Sequence, residues 1–233
     1  MSTNKEVAQY YTNVAWKAAR DSGESIVYAV LIEFLVRHKN PPCRFVLYPQ
    51  MSLKWKPNNP QDTRQEITDL GLVMFTRNSY KLRCGVEAKR ATPIMAELPD
   101  ARYIKRNLEV QETFHLALDQ ATDQAKAAFK NEYFFDPKLP TYWMLVVGPY
   151  WTPVQLGPFS EADLTVRSHK KSESEDFMAR MKLELSKQPF ELNELYCFNS
   201  PSSYDRIEGI LKVTDSAAQP LIDRILGRLD RVC

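Results

Sequence analysis

Only seven glycines and three histidines occur in 233 residues, and the four cysteines stand far apart at 43, 84, 197 and 233. The sparse glycines make no G-x-S-x-G, P-loop or G-x-G-x-x-G, which argues against a P-loop or Rossmann nucleotide site. His38, His115 and His169 are isolated, without a spacing suited to zinc. His38 reads better as a cation near a helix C-terminus. No two cysteines form C-x-x-C, and a disulfide scaffold would carry more of them, so a reducing, intracellular compartment (cytoplasm or nucleus) is expected. The longest apolar run, "SIVYAVLIEFLV", is interrupted by Glu33 and falls short of the roughly 20 residues that span a bilayer. The first residues, "MSTNKEVAQYY", lack a basic-then-apolar signal pattern. Charge of one sign is lacking too: 31 basic against 29 acidic residues give +2, so any contact with nucleic acid needs a local basic patch.

What is present is an ordinary globular composition, 44% hydrophobic, sized for one large domain or one domain with a modest appendage. Apolar spacing predicts a helix over 4–20 and a second, nearly all-apolar one over 24–38, stopped by "KNPP". "CRFVLYPQMSLKW" (43–55), "EITDLGLVMFT" and "KLRCGVEAK" read as strands, the last two joined by a turn at "RNSY". One long helix is expected over 101–133, with Phe114, Ala117, Leu118, Ala121, Ala125, Ala128 and Phe129 on one stripe. "PTYWMLVVGPYW" (140–151) reads as one apolar strand. The final third predicts a helix near 173–187, a short strand in "NELYCF", and an amphipathic helix around Leu221–Leu229. This order describes an α/β domain with a small central sheet.

The strand "LRCGVEAKRA" ends with Glu87 and Lys89 on one side of a mostly apolar element. If Asn78 centres the preceding turn, Asp69 lies opposite Glu87, with Cβ atoms about 4.5–5.5 Å apart. Two carboxylates that close repel unless a cation sits between them. Mg²⁺ usually takes only one or two protein carboxylates. The carbonyl of Ala88 is a further candidate ligand, and the Lys89 amine could orient a water or neutralise phosphate oxygen. Asp, then Glu-x-Lys, at one end of a hairpin is a coherent metal-dependent hydrolytic site.

With "TDLGL" (68–72) followed by "VEAK" (86–89), and a helix on either side, the chain resembles the PD-(D/E)XK nuclease superfamily of restriction endonucleases, Holliday-junction resolvases and RecB-type nucleases. The resemblance covers about residues 22–150 and implies a restriction-endonuclease-like αβββαβ core with a small mixed sheet flanked by helices. The division expected is a core with N-terminal helices over 1–160 and a mainly helical extension packed on it over 161–233. By position it implies Asp69 and Glu87 as metal-binding carboxylates and Lys89 as the catalytic lysine. Thr68 departs from the nominal proline. A supporting glutamate on the first core helix would be Glu24, with Glu33 the lesser alternative. Gln124, on one helix face with Gln120, would support the site from the following helix.

The implied activity is Mg²⁺- or Mn²⁺-dependent hydrolysis of phosphodiester bonds in nucleic acid, DNA rather than RNA, with homodimerisation open. Arg83 and Arg90 on the lysine strand, Arg64 and Arg77 nearby, and Arg102, Lys105 and Arg106 on the next helix are candidate phosphate contacts. The alternative is a catalytically inactive nuclease-fold protein that binds nucleic acid or protein. A third reading makes Asp69, Glu87 and Lys89 a plain ion-pair network. Cys84 reads as core, and the aromatics at 142, 143, 150 and 151 read as sheet core and edge packing, with stacking on bases the lesser alternative.

Overall fold

The structure is a computed structural model that describes residues 31, 32, 35, 45–55, 64–75, 80–96, 101–165, 194–198 and 200–212. Among these, six strands form one sheet in chain order: β1 (Phe45–Trp55), β2 (Arg64–Phe75), β3 (Tyr80–Lys89), β4 (Thr141–Val147), β5 (Tyr150–Leu156) and β6 (Tyr196–Cys197). Each neighbour is antiparallel except β4, which runs parallel to β3. A parallel step requires a crossover. It is supplied by α1 (Ala101–Arg106) and α2 (Leu108–Lys130). Two further helices, α3 (Glu161–Thr165) and α4 (201–212), follow. The fold is mixed α/β.

Both faces of the sheet are covered. On one, Val73, Leu82, Trp143, Leu145 and Val147 meet Phe114, Ala117, Ala121, Ala125 and Ala128 of α2. On the other, Leu72, Cys84, Val86, Met144 and Val146 meet Leu31 and Leu35, which lie in helix, and Ile207, Ile210 and Leu211 of α4. Burial on both faces explains why β4 reads as an unbroken apolar run rather than an alternation. The alanines let α2 lie close to the strands. Gly85 is needed for the same reason: a Cβ there would stand 2.3 Å from the Trp143 ring on the paired strand.

Several expected elements are corrected. The helix expected over 101–133 is two helices, because Asn107 leaves helical geometry (ψ 128°) and caps α2, its Oδ1 accepting from the Val110 N–H at 3.2 Å. The strand expected over 140–151 is a hairpin: Gly148 takes φ +55° and turns β4 into β5. Helix α4 was not anticipated, although Ser200–Pro201 is a cap-then-proline start and Ser200 Oγ accepts from the Ser203 N–H at 3.2 Å. "NELYCF" does contribute a strand, β6. The helices expected over 4–20, near 173–187 and around 221–229, and all of 24–38 but Leu31, Ile32 and Leu35, lie outside the described residues. Among the described residues no helix is long and apolar enough to cross a membrane.

Candidate active site

The β2–β3 ladder leaves the turn as Phe75 opposite Tyr80, Met74 opposite Lys81 and Val73 opposite Leu82. It then shifts to Leu72 opposite Cys84, Gly71 opposite Gly85 and Leu70 opposite Val86. Arg83 is the extra residue, a β-bulge. Continuing the last pairs by one residue sets Asp69 opposite Glu87. That is the pairing expected for a turn centred on Asn78, but it arises differently. The pairs nearest the turn are centred half a residue earlier, and the bulge makes up the difference. Residues 76–79 lie outside the described residues.

The ladder ends at Leu70 and Val86, and side chains take over where it stops. Thr68 Oγ1 donates to the Val86 carbonyl at 2.8 Å, and Asp69 Oδ2 accepts from the Ala88 N–H at 2.7 Å. Gln124 Nε2 donates to the Ile67 carbonyl at 2.8 Å and to Glu87 Oε2 at 2.7 Å. Lys89 Nζ donates to Glu87 Oε1 at 2.6 Å. Asp69, Glu87, Lys89 and Gln124 thus meet at one end of β2 and β3, beneath α2. Both partners of the Gln124 nitrogen are acceptors, which fixes the amide orientation and leaves its Oε1 buried without a hydrogen-bond partner.

Glu87 is 3% exposed. Burial disfavours its charged form and outweighs the Lys89 ammonium and the Lys89 and Gln124 hydrogen bonds, with Asp69 adding repulsion. Its pKa rises to about 7. Lys89 therefore compensates the buried carboxylate only in part.

The donor set suits a hard divalent cation: two carboxylates in adjoining strands, and the unsatisfied amide oxygen of Gln124 on the helix above. Among the described residues no group of three or more His, Cys, Asp or Glu side chains is assembled, and Asp69 and Glu87 are the carboxylates that these residues offer to such an ion. One or two carboxylates are the usual protein share for Mg²⁺.

The remaining expected residues are scattered. Arg83, expected among the phosphate contacts, is corrected: it is 2% exposed and its Nη2 donates to the Leu211 carbonyl at 2.7 Å, on the face away from α2. The bulge is the cause, because it breaks the alternation that would have set Arg83 on the side of Glu87. Arg90 is exposed just beyond Lys89, Arg64 begins β2, and Arg102, Lys105 and Arg106 form α1. Ala88 contributes its N–H to Asp69. Glu24, Glu33 and Arg77 lie outside the described residues. Two features beside Asp69 were not anticipated. Thr68 ties the strands together by its hydroxyl, and Ile67, two residues before Asp69, is 49% exposed beside the site. Comparison with protein-family models, curated proteins and solved structures finds no significant match to this chain.

Proposed function

We propose that the protein is a divalent-metal-dependent phosphodiesterase acting on nucleic acid, built on a restriction-endonuclease-like core. The observation that carries this reading is the convergence of Asp69, Glu87 and Lys89 from two adjoining strands, with Gln124 of α2 bonded to Glu87. The order of three antiparallel strands, a helical crossover and a fourth strand parallel to the third supports the core, and the helical turn at Leu31 and Leu35 supports a helix ahead of them.

Asp69 and Glu87 would hold Mg²⁺ or Mn²⁺. The bound ion would supply a water of lowered pKa and neutralise charge on the phosphate. Gln124 holds one Glu87 oxygen in place. Lys89, tethered to the other and partly open to solvent, stands where an amine can orient the attacking water or meet phosphate oxygen. Arg90 and the bases of α1 would grip the backbone of a DNA strand.

The test is incubation with plasmid, single-stranded DNA and RNA in Mg²⁺, Mn²⁺ or EDTA. Metal-dependent cleavage that disappears in Asp69→Ala and Glu87→Ala, with folding intact, is the expected result; metal-dependent cleavage by both variants would refute it. A second reading, a nucleic-acid- or protein-binding module without catalysis, draws on one observation: both Glu87 oxygens already have donors within the protein. It predicts binding without cleavage in every metal.

A further inference from the structure

We infer that α1 is a stacking platform for an unpaired nucleotide, with Tyr103 as the ring and Arg106 as the phosphate contact. The inference rests on the phosphodiesterase reading and deepens it by naming an unpaired strand as the substrate class.

The six residues of α1, "ARYIKR", contain three bases and no acid. Tyr103 is 56% exposed, more than any other large hydrophobic side chain among the described residues. A solitary exposed ring means little, since single apolar residues at a surface are ordinary. Here, however, the ring is held within a cationic helix. Tyr103 and Arg106 lie one turn apart and share a face, and Arg106 is exposed too.

The helix is also fixed in place. Ile104, its next residue, is fully buried in the same cluster as Val110 and Phe114 of α2. Gln111 Nε2 donates to the Lys105 carbonyl at 2.9 Å, and the Asn107 N–H donates to the Ile104 carbonyl at 3.2 Å. A ring presented by an anchored backbone loses little conformational freedom when a partner stacks on it. Base–aromatic stacking needs a free base face, which a duplex covers and a single strand offers.

The placement suits a strand that also reaches Glu87. From Lys89 the chain passes through Ala91 and Met95, both in the α2-side cluster, before entering α1. Helix α2 then leads back to Gln124, sixteen residues from Leu108, a rise of about 24 Å. An unpaired strand is more extended than the roughly 3.4 Å per nucleotide of a duplex, so this length corresponds to at most roughly seven nucleotides. Single-strand site sizes of about 4–16 nucleotides include this length. An acidic protein surface would also suit the three bases, but it gives the flat ring no counterpart.

The experiment measures binding by fluorescence anisotropy in EDTA, which separates binding from cleavage. The probes are a labelled single-stranded DNA, its duplex, and a strand of equal length without bases. Wild type should prefer the single strand over both others. Tyr103→Ala should weaken single-strand binding about ten-fold, and Tyr103→Phe should bind as wild type, because stacking requires the ring and not the hydroxyl. Arg106→Ala should weaken every probe and lower the salt slope by about 1. Equal binding of base-free and ordinary strands, unchanged affinity in Tyr103→Ala, or binding of no DNA at all would overturn the inference, the last directing attention to a protein partner. Loss of affinity in Tyr103→Ala alongside absence of cleavage by wild type would uphold stacking and refute the hydrolytic reading alone.

Discussion

Gln124 of α2 donates to Glu87 of β3 at 2.7 Å, and the same nitrogen donates to the Ile67 carbonyl of β2 at 2.8 Å. One amide thus joins the helix to both strands that carry the carboxylates. Its position follows from the alanine stripe, which brings α2 near enough to the sheet for a side chain of this length to reach both acceptors.

Replacing Gln124 by Ala should leave the Ile67 carbonyl and one Glu87 oxygen without this donor, at a cost of about 1–3 kcal/mol. A fall in melting temperature, with cleavage slowed more than substrate binding, is the expected pair of results. Gln124→Glu should be worse than Ala at pH 8, since it sets a carboxylate against Glu87. A Gln124→Glu variant as stable and active as wild type would contradict the role assigned to the amide.

Glu87 makes the metal-free protein sensitive to pH in a defined direction. Its folded-state pKa is raised from 4.5 to about 7, chiefly by burial. Between these values the folded form holds the proton more tightly than the unfolded form does. Stability is therefore undiminished below about pH 4.5 as far as this group is concerned, falls as pH rises toward 7, and stays reduced above it. The full effect is on the order of 3 kcal/mol. Denaturant titrations from pH 5 to 8 in EDTA should show the decline, and Glu87→Gln should flatten it. A decline of equal size in Glu87→Gln would assign it to another group.

The same partly compensated carboxylate predicts how the protein responds to metal. Mn²⁺ at about 100 times its dissociation constant should stabilise wild type by about 2.7 kcal/mol, read as a rise in melting temperature. Asp69→Ala should lose the rise. An identical rise in the variant would place the ion elsewhere, and no rise in wild type would favour a plain ion-pair network.

The carboxylates and the lysine were legible because strand geometry is simple: residues two apart share a face, and polar pairs among apolar neighbours are conspicuous. Gln124 was expected from the resemblance, which implies a glutamine on this helix, and the neighbouring small residues suggested that the helix lies close to the sheet. Features set by a single backbone departure were not legible. Asn107 reads as one more helical residue until its side chain caps the Val110 N–H. Gly148 reads as part of an apolar strand until its positive φ turns the chain. The bulge at Arg83 is the same kind of event. Nothing in "KLRCGVEAK" distinguishes an arginine that alternates toward Glu87 from one that turns away to Leu211, because α4, which supplies its acceptor, lies 128 residues downstream.

That bulge permits a test that separates the register of the site from the anchoring of the last described helix. Arg83→Ala removes the donor to the Leu211 carbonyl and opens space in the interior, and should cost roughly 1–3 kcal/mol or more. Deleting Arg83 does something different. The pairs on either side, Val73 with Leu82 and Leu72 with Cys84, then follow one another as in a regular ladder, and Asp69 still falls opposite Glu87. The deletion variant should thus be destabilised like Arg83→Ala yet keep its Mn²⁺-induced rise in melting temperature. Inserting one alanine on either side of Gly71 instead should abolish the rise, since a one-residue slip sends one carboxylate to the opposite face. If the deletion also abolished the metal response in a protein that still melts cooperatively, the bulge itself, and not only the pairing it preserves, would be part of the site.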